Sequence, residues 1–198
     1  GQYDIFSHFE YVCGVPSPLS LITSVQELAL PTVNFPASSG LSRARGGFFA
    51  VMPTLCTHAH PCHNIQRDRE FCLNFVRPDY YDAAGETIRH NRDEDDEIIA
   101  GGFTAEPCRT ISAPRLKEAF LCLECRLHSI GDLSGEGLTA LVIGRVVHAA
   151  VEEDHNRIDR ICGPDGFMFN IHSPKDPTTG EGATSAMAVL NPIRLQQE

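Results

Sequence analysis

Residues 56–63 read Cys56-Thr57-His58-Ala59-His60-Pro61-Cys62-His63, the densest concentration of reactive side chains in the chain. Two thiols and three imidazoles so close together could hold zinc, which takes sulfur and nitrogen ligands in tetrahedral geometry. Structural zinc sites normally draw ligand pairs from separated segments, and no second C-x-x-C or H-x-x-x-H pairs with this loop. The same residues suit an anion. Pro61 fits a first helical turn, and Thr57 or His60 can cap it. A helix start offers backbone N–H groups and the positive end of a dipole. His58, His60 and His63 add donors, with Arg67 and Arg69 one or two turns on, so a phosphate is the natural guest. A capped surface helix with incidental histidines accounts for the same residues, and both readings stand on sequence alone.

Cys122-Leu123-Glu124-Cys125 matches C-x-x-C. In a redox dithiol that pair opens a helix, where the dipole lowers the thiol pKa. Here the spacing falls inside a strand pattern, which sends the two thiols to opposite faces. Cys13, Cys72, Cys108 and Cys162 are dispersed and read as buried or half-buried thiols. G-x-G-x-x-G, the P-loop, G-x-S-x-G and H-E-x-x-H are all missing. Residues 38–47 (SSGLSRARGG) form a polar stretch between two strands, either a plain hairpin loop or a loop facing a bound anion or ring.

The background is acidic. Lys and Arg number 16 against 26 Asp and Glu, a net charge of −10. That argues against a nucleic-acid or anionic-membrane binder, since phosphate neutralisation needs clustered Lys and Arg. No apolar run reaches the 18 residues or so that a transmembrane helix needs, and the start, GQYDIFSHFEY, shows no signal-peptide pattern. The expectation is a cytoplasmic protein with reduced thiols.

These side chains need a scaffold. Strands are expected at 16–24 (PSPLSLITS), 29–35, 47–53, 71–76, 119–129 and 138–151, from β-branched runs and period-two alternation. In 71–76, Phe71, Leu73 and Phe75 share one face and Cys72, Asn74 and Val76 the other. Gly144 marks a bulge or a close backbone approach. Helices are expected at 60–70 and across 79–101, where RHNRDEDDE reads as a solvated charge run. Residues 173–187 read as an exposed loop. About six strands with little strand–helix alternation argue for a mainly β protein, a small antiparallel barrel with inserted short helices.

Five ordered segments carry a family resemblance. PSPLSLITS resembles a first barrel strand of the form P-R-P-x-x-[LV]-[VI]-[ST]-[ST], and Asn34-Phe35-Pro36-Ala37-Ser38 resembles N-x-[AP]-x-S. Cys62-His63-Asn64-Ile65 followed by Arg69-Glu70-Phe71-Cys72-Leu73-Asn74 is similar to T-x-x-N-I and E-F-V-V-N. Ala100-Gly101-Gly102-Phe103-Thr104 with Pro114-Arg115-Leu116-Lys117-Glu118-Ala119 is similar to A-G-[LF]-[ST] and P-R-[IL]-x-E-[AS]. Segments 123–127 and 142–147 match two late strands. The chain thus resembles the flavin reductase-like, flavoredoxin-type family of FMN-binding split β-barrels, Greek-key-like in topology. The likeness runs from about residue 12 to 155 within a single domain of 1–198, leaving 156–198 as a C-terminal extension.

The resemblance implies FMN at a homodimer interface, with the flavin against Thr23, Ser24, Asn34, Ser38 and Ser39. It puts the phosphate at 57–65, with Thr57, His58, His60, His63, Asn64 and Ile65. It also implies hydride transfer from NADH or NADPH to the flavin, then electrons to an acceptor, with no dedicated catalytic acid or base and no metal. The chain departs from the pattern at Ser17, Ala59 and Pro61, where Arg, Lys and Thr are usual, and the C-terminal R-x-G-x-x-Y is not evident. Histidines could have taken over the phosphate. An electron-carrier module without a nicotinamide pocket, or a metal or thiol protein using Cys56, His58, His60 and Cys62, are the alternatives.

Overall fold

The computed structural model describes residues 15–26, 31–89, 97–132, 135–172 and 185–193. The chain opens with β1 (Pro16–Val25), β2 (Pro31–Ser38), β3 (Gly40–Ala44) and β4 (Gly47–Cys56), followed by α1 (His60–Asp68) and β5 (Glu70–Phe75). After a 3-10 turn at Pro78–Tyr80 come α2 (Tyr81–Arg89), α3 (Glu97–Ala100) and the short β6 (Ala105–Glu106) and β7 (Arg115–Leu116). The long pair β8 (Leu121–Asp132) and β9 (Thr139–Val151), a turn of helix α4 (Ile158–Ile161), β10 (Met168–His172) and β11 (Ser185–Val189) complete it.

The main sheet runs β11-β10-β1-β5-β8-β9-β4-β3, with β2 added on β1, and every pairing is antiparallel. This is the mainly β split barrel expected, with few and short helices. Leu19 to Ser24 are buried on both faces of β1, because each face meets a different layer. Ile22 joins the barrel interior with Ile65 of α1, Phe71, Leu73 and Leu123. Leu19 and Leu21 turn the other way, toward Ile98, Phe103 and Leu116. Cys122 and Cys125 fall into separate clusters on opposite faces, as the strand spacing requires.

Gly144 on β9 is a close approach. A Cβ there would stand 2.7 Å from Phe71 Cε1 and 3.1 Å from the Cys125 Cβ, and still nearer to Phe71 Cζ. Only a glycine leaves room for the buried Phe71 ring tip against β9.

Three local expectations change. The single helical region at 79–101 is divided, with a 3-10 turn started by Pro78 and two α-helices, while 90–96 lie outside the described residues. Glu97, the last acid of the charge run, is buried, and its Oε2 accepts the Val33 N–H at 2.8 Å. The polar stretch after β2 forms the exposed edge strand β3, which turns at Gly46 and Gly47, both at positive φ, into β4. Within 173–187, Ser185–Val189 is a strand on β10, and 173–184 lie outside the described residues. The extension is joined to the barrel, since Pro16, Ser17 and Pro18 of β1 pair with β10.

Candidate functional site

Helix α1 starts without a side-chain cap. Ala59 is the N-cap with extended backbone, Pro61 lies in the first turn, and the first turn carries no acid. The expected caps do other things. Thr57 Oγ1 donates to the Gly137 carbonyl, with the Leu138 carbonyl at 3.2 Å, and Thr57 N–H donates to Leu138 O, so the loop is tied to the β8–β9 connection. His58 and His63 are exposed and His60 is half-buried. The positive end of the α1 dipole is therefore uncompensated by its own side chains and ringed by imidazoles, the arrangement that attracts anions. Arg69 closes the helix in left-handed geometry (φ 63°), its N–H on Ile65 O.

The buried side of α1 fastens to β1. Asn64 Nδ2 donates to Ser24 Oγ at 3.1 Å, and Ser24 shares a 2.9 Å hydrogen bond with Thr32. Arg67 Nη1 donates to Asn64 Oδ1 at 3.3 Å, and its Nη2 reaches Val25 O at 2.5 Å while pairing with Asp68. Four residues back along β1, Ser20 Oγ donates to Ser39 Oγ at 3.2 Å. Ser20 and Ser24 stand on the same face of β1, so a row of hydroxyls and one amide runs along the β1–β2 seam beside α1. Ile65 packs fully buried beneath it.

Of the residues expected to hold a cofactor, Ser24 and Asn64 touch directly, Ser39 lies on the same seam, and Thr57, His58, His60 and His63 gather at the α1 start. The β2 backbone places Asn34 opposite Ile22 and Ser38 opposite Leu19; their side chains lie outside the described residues. Thr23 stands apart. Its fully buried hydroxyl faces the other side of β1, donating to Pro114 O at 2.5 Å and accepting from Asn74 Nδ2 at 3.0 Å. There it helps hold a strap, residues 107–116, over β5 and β8. Glu124 accepts from the Arg109 and Thr110 N–H groups, Glu70 from Ser112 N–H, and Asn74 Oδ1 from Leu116 N–H.

Among the described residues no group of three or more His, Cys, Asp and Glu side chains could hold a metal ion. The reason is geometric. Cys62 points into the core, where burial first and the Cys56 thiol second raise its pKa, while His58 and His63 point outward. Among the described residues no helix is long and apolar enough to cross a membrane.

Residues 13–160 match the family model for the flavin reductase like domain. The chain belongs to this family. A protein with a split barrel domain from Shewanella frigidimarina superposes on it with a TM-score of 0.76 at 17% identity, covering 100% of this chain and 94% of that one. The NADH:FAD oxidoreductase of Streptomyces globisporus, solved with NAD and FAD fragments, gives 0.59 at 18% identity over 77% of this chain and 87% of that one. An uncharacterized protein of Halalkalibacterium halodurans is 32% identical over 94 residues, 46% of this chain. The match spans about half of that relative's length, 45%. The flavin reductase-like family is a family of flavin-related oxidoreductases, and the solved neighbours share its fold.

Within this flavin reductase-like domain, sequence reasoning missed Ser20, Thr32 and Asn74. Ser20 and Ser24 do show the period-two spacing that puts them on one face. Nothing in the sequence signals that Thr32 will meet Ser24 across the β1–β2 pair, or that the Asn74 side chain will bond five residues at once.

Proposed function

We propose that the chain binds FMN, its phosphate at the start of α1 and its ring along the β1–β2 seam, and works as an NAD(P)H-dependent flavin reductase. The observation that carries this reading is the α1 start, a nine-residue helix without side-chain cap or first-turn acid, beside His58, His60 and His63. In a chain of net charge −10, an anionic cofactor needs such a local concentration of donors. The residues fit. His58 and His63 are accessible to a phosphate, Asn64 and Ser24 fix the helix against β1, and Ser39 and the β2 backbone at Asn34 and Ser38 line the seam. Thr57 shapes the loop through Gly137 and Leu138, Ile65 anchors it from the core, and Thr23 braces β1 from behind.

Bound flavin supplies the redox chemistry, accepting hydride from NADH or NADPH and passing electrons on. The chain's part is to hold the phosphate, orient the ring and keep one side of it open. The Streptomyces globisporus neighbour, solved with NAD and FAD fragments, supports a nicotinamide donor. We also propose that the site is completed in a homodimer. Edge strand β3 is exposed along its whole length, and Leu41 on it and Phe48 on the neighbouring β4 stand more than half exposed, an apolar edge that a second copy would cover. Residues 1–198 act as a single domain in this reading, the extension adding β10 to β1. The seven described cysteines are all free, which fits work in the cytoplasm.

Absorption of the purified protein near about 450 nm, the oxidised flavin band, with mass identification of the released cofactor, tests the binding. Anaerobic NADH or NADPH then tests the reaction: prompt bleaching is expected. A yellow protein that neither nucleotide bleaches would make it an electron carrier reduced by a partner. A colourless protein that takes up no FMN would overturn the reading.

A further inference from the structure

The β5–β8 surface under the strap carries three cysteines that the flavin reading does not use. Cys72 and Cys122 are buried, and both thiols donate to Asn74 Oδ1, at 3.8 Å and 3.4 Å. Cys108, half-buried on the strap, packs against the same cluster.

Register decides which pair can bridge. Cys72 lies opposite Glu124 and Cys122 opposite Asn74, so these two thiols are diagonal neighbours on paired strands. Diagonal residues stand about 7–8 Å apart, at or beyond the ~7 Å that a disulfide spans without backbone movement. Cys108 lies on irregular backbone just before the strap is clamped by Glu124 through the Arg109 and Thr110 N–H groups. It sits on the strap and not on a paired strand, so the β5–β8 register does not fix its distance from Cys72.

We propose that Cys72 and Cys108 form a reversible dithiol–disulfide pair that closes under hydrogen peroxide and locks the strap to β5. Peroxide oxidises the half-exposed Cys108 thiol to a sulfenic acid, releasing one water. Cys72 sulfur then attacks the Cys108 sulfur, forming the S–S bond as the S–O bond breaks. The hydroxide that leaves and the proton from Cys72 make a second water. In sum, two thiols lose two electrons and two protons, and one peroxide is reduced to two waters. The neighbouring Cys108 and Cys122 thiols, together with burial, hold the Cys72 pKa well above its ordinary value, so it stays a thiol until it attacks. Cys122 also lines a cavity of about 200 Å³ with Arg115, Lys117 and Glu152, which gives the proton a way to solvent.

The test uses the full reduced chain, treated with hydrogen peroxide, then denatured, alkylated and mapped by mass spectrometry. The expected product is a peptide pair joining Cys72 to Cys108, lighter by about 2 Da for the two hydrogens lost, and reopened by dithiothreitol. Cys108→Ser should abolish the link and leave Cys72 as an alkylated thiol. Cys122→Ser and Cys162→Ser should both still form the same link. Cys108 carried on to sulfinic acid with Cys72 still free, or a link that pairs other cysteines, overturns the proposal.

Discussion

Asn64 on α1 donates its side-chain amide to Ser24 on β1 at 3.1 Å, and both residues are buried. This contact, with Arg67 behind it, sets where the start of α1 stands relative to the seam. Asn64→Ala removes the donor and leaves Ser24 and Arg67 short of a partner, a loss of about 1–3 kcal/mol for buried polar groups. The melting temperature should fall. FMN affinity, measured by quenching of flavin fluorescence on titration, should fall about tenfold, the equivalent of ~1.4 kcal/mol. A destabilised protein with unaltered FMN affinity would show that the α1 position does not set the site.

Thr57→Ala with His63→Ala separates anion binding from folding. His63 is exposed, and the Thr57 hydroxyl bonds lie at an exposed loop. Surface changes of this kind usually stay within about 0.5 kcal/mol each, so thermal stability should barely move. FMN retention through gel filtration should drop clearly. Full retention would remove the phosphate from the α1 start.

Gly144→Ala probes the scaffold. The added methyl would drive into the Phe71 ring, which is fully buried in the barrel core. Overpacking of this sort costs about 1–3 kcal/mol. A chemical denaturation midpoint shifted down, with the slope unaltered, is the expected result. An unshifted midpoint would mean that Phe71 can move aside at no cost.

Much of this framework is legible in the sequence. β-branched runs locate β1, β5, β8 and β9, period two separates Cys122 from Cys125, and Gly144 announces a close approach that Phe71 then explains. What remains hidden depends on neighbours distant in sequence. Thr23 and Ser24 must face opposite ways on a strand, but only the packed layers tell that Ser24 meets α1 and Thr23 meets the strap. Thr57 has the chemistry of a cap, yet its hydroxyl goes to Gly137 and Leu138, 80 and 81 residues on. Glu97 closes an acidic run that reads as solvated, yet it is buried, with its Oε2 accepting the Val33 N–H. β10 and β11 carry no long β-branched run and form by pairing with each other and with β1.

Glu124 makes the strap sensitive to acid. Burial acts to raise its pKa. The Thr110 hydroxyl, the Arg109 and Thr110 N–H groups and the charge of His148, which lies opposite on β9, outweigh that and leave it lowered. A carboxyl with a folded pKa below its ordinary value of 4.5 stabilises the fold fully above that value. The contribution then fades as the pH falls through the lower folded value. The wild-type melting temperature should therefore drop steeply between about pH 5 and pH 3, the range in which a lowered carboxylate takes up its proton. Glu124→Gln should be less stable at neutral pH, by about 1–3 kcal/mol for the altered hydrogen bonds, and its acid profile should be flatter. Proteolysis should cut the variant within 107–116 at neutral pH, as it should cut the wild type in acid. Parallel acid profiles for the two proteins would mean that another carboxylate, and not Glu124, holds the strap at low pH.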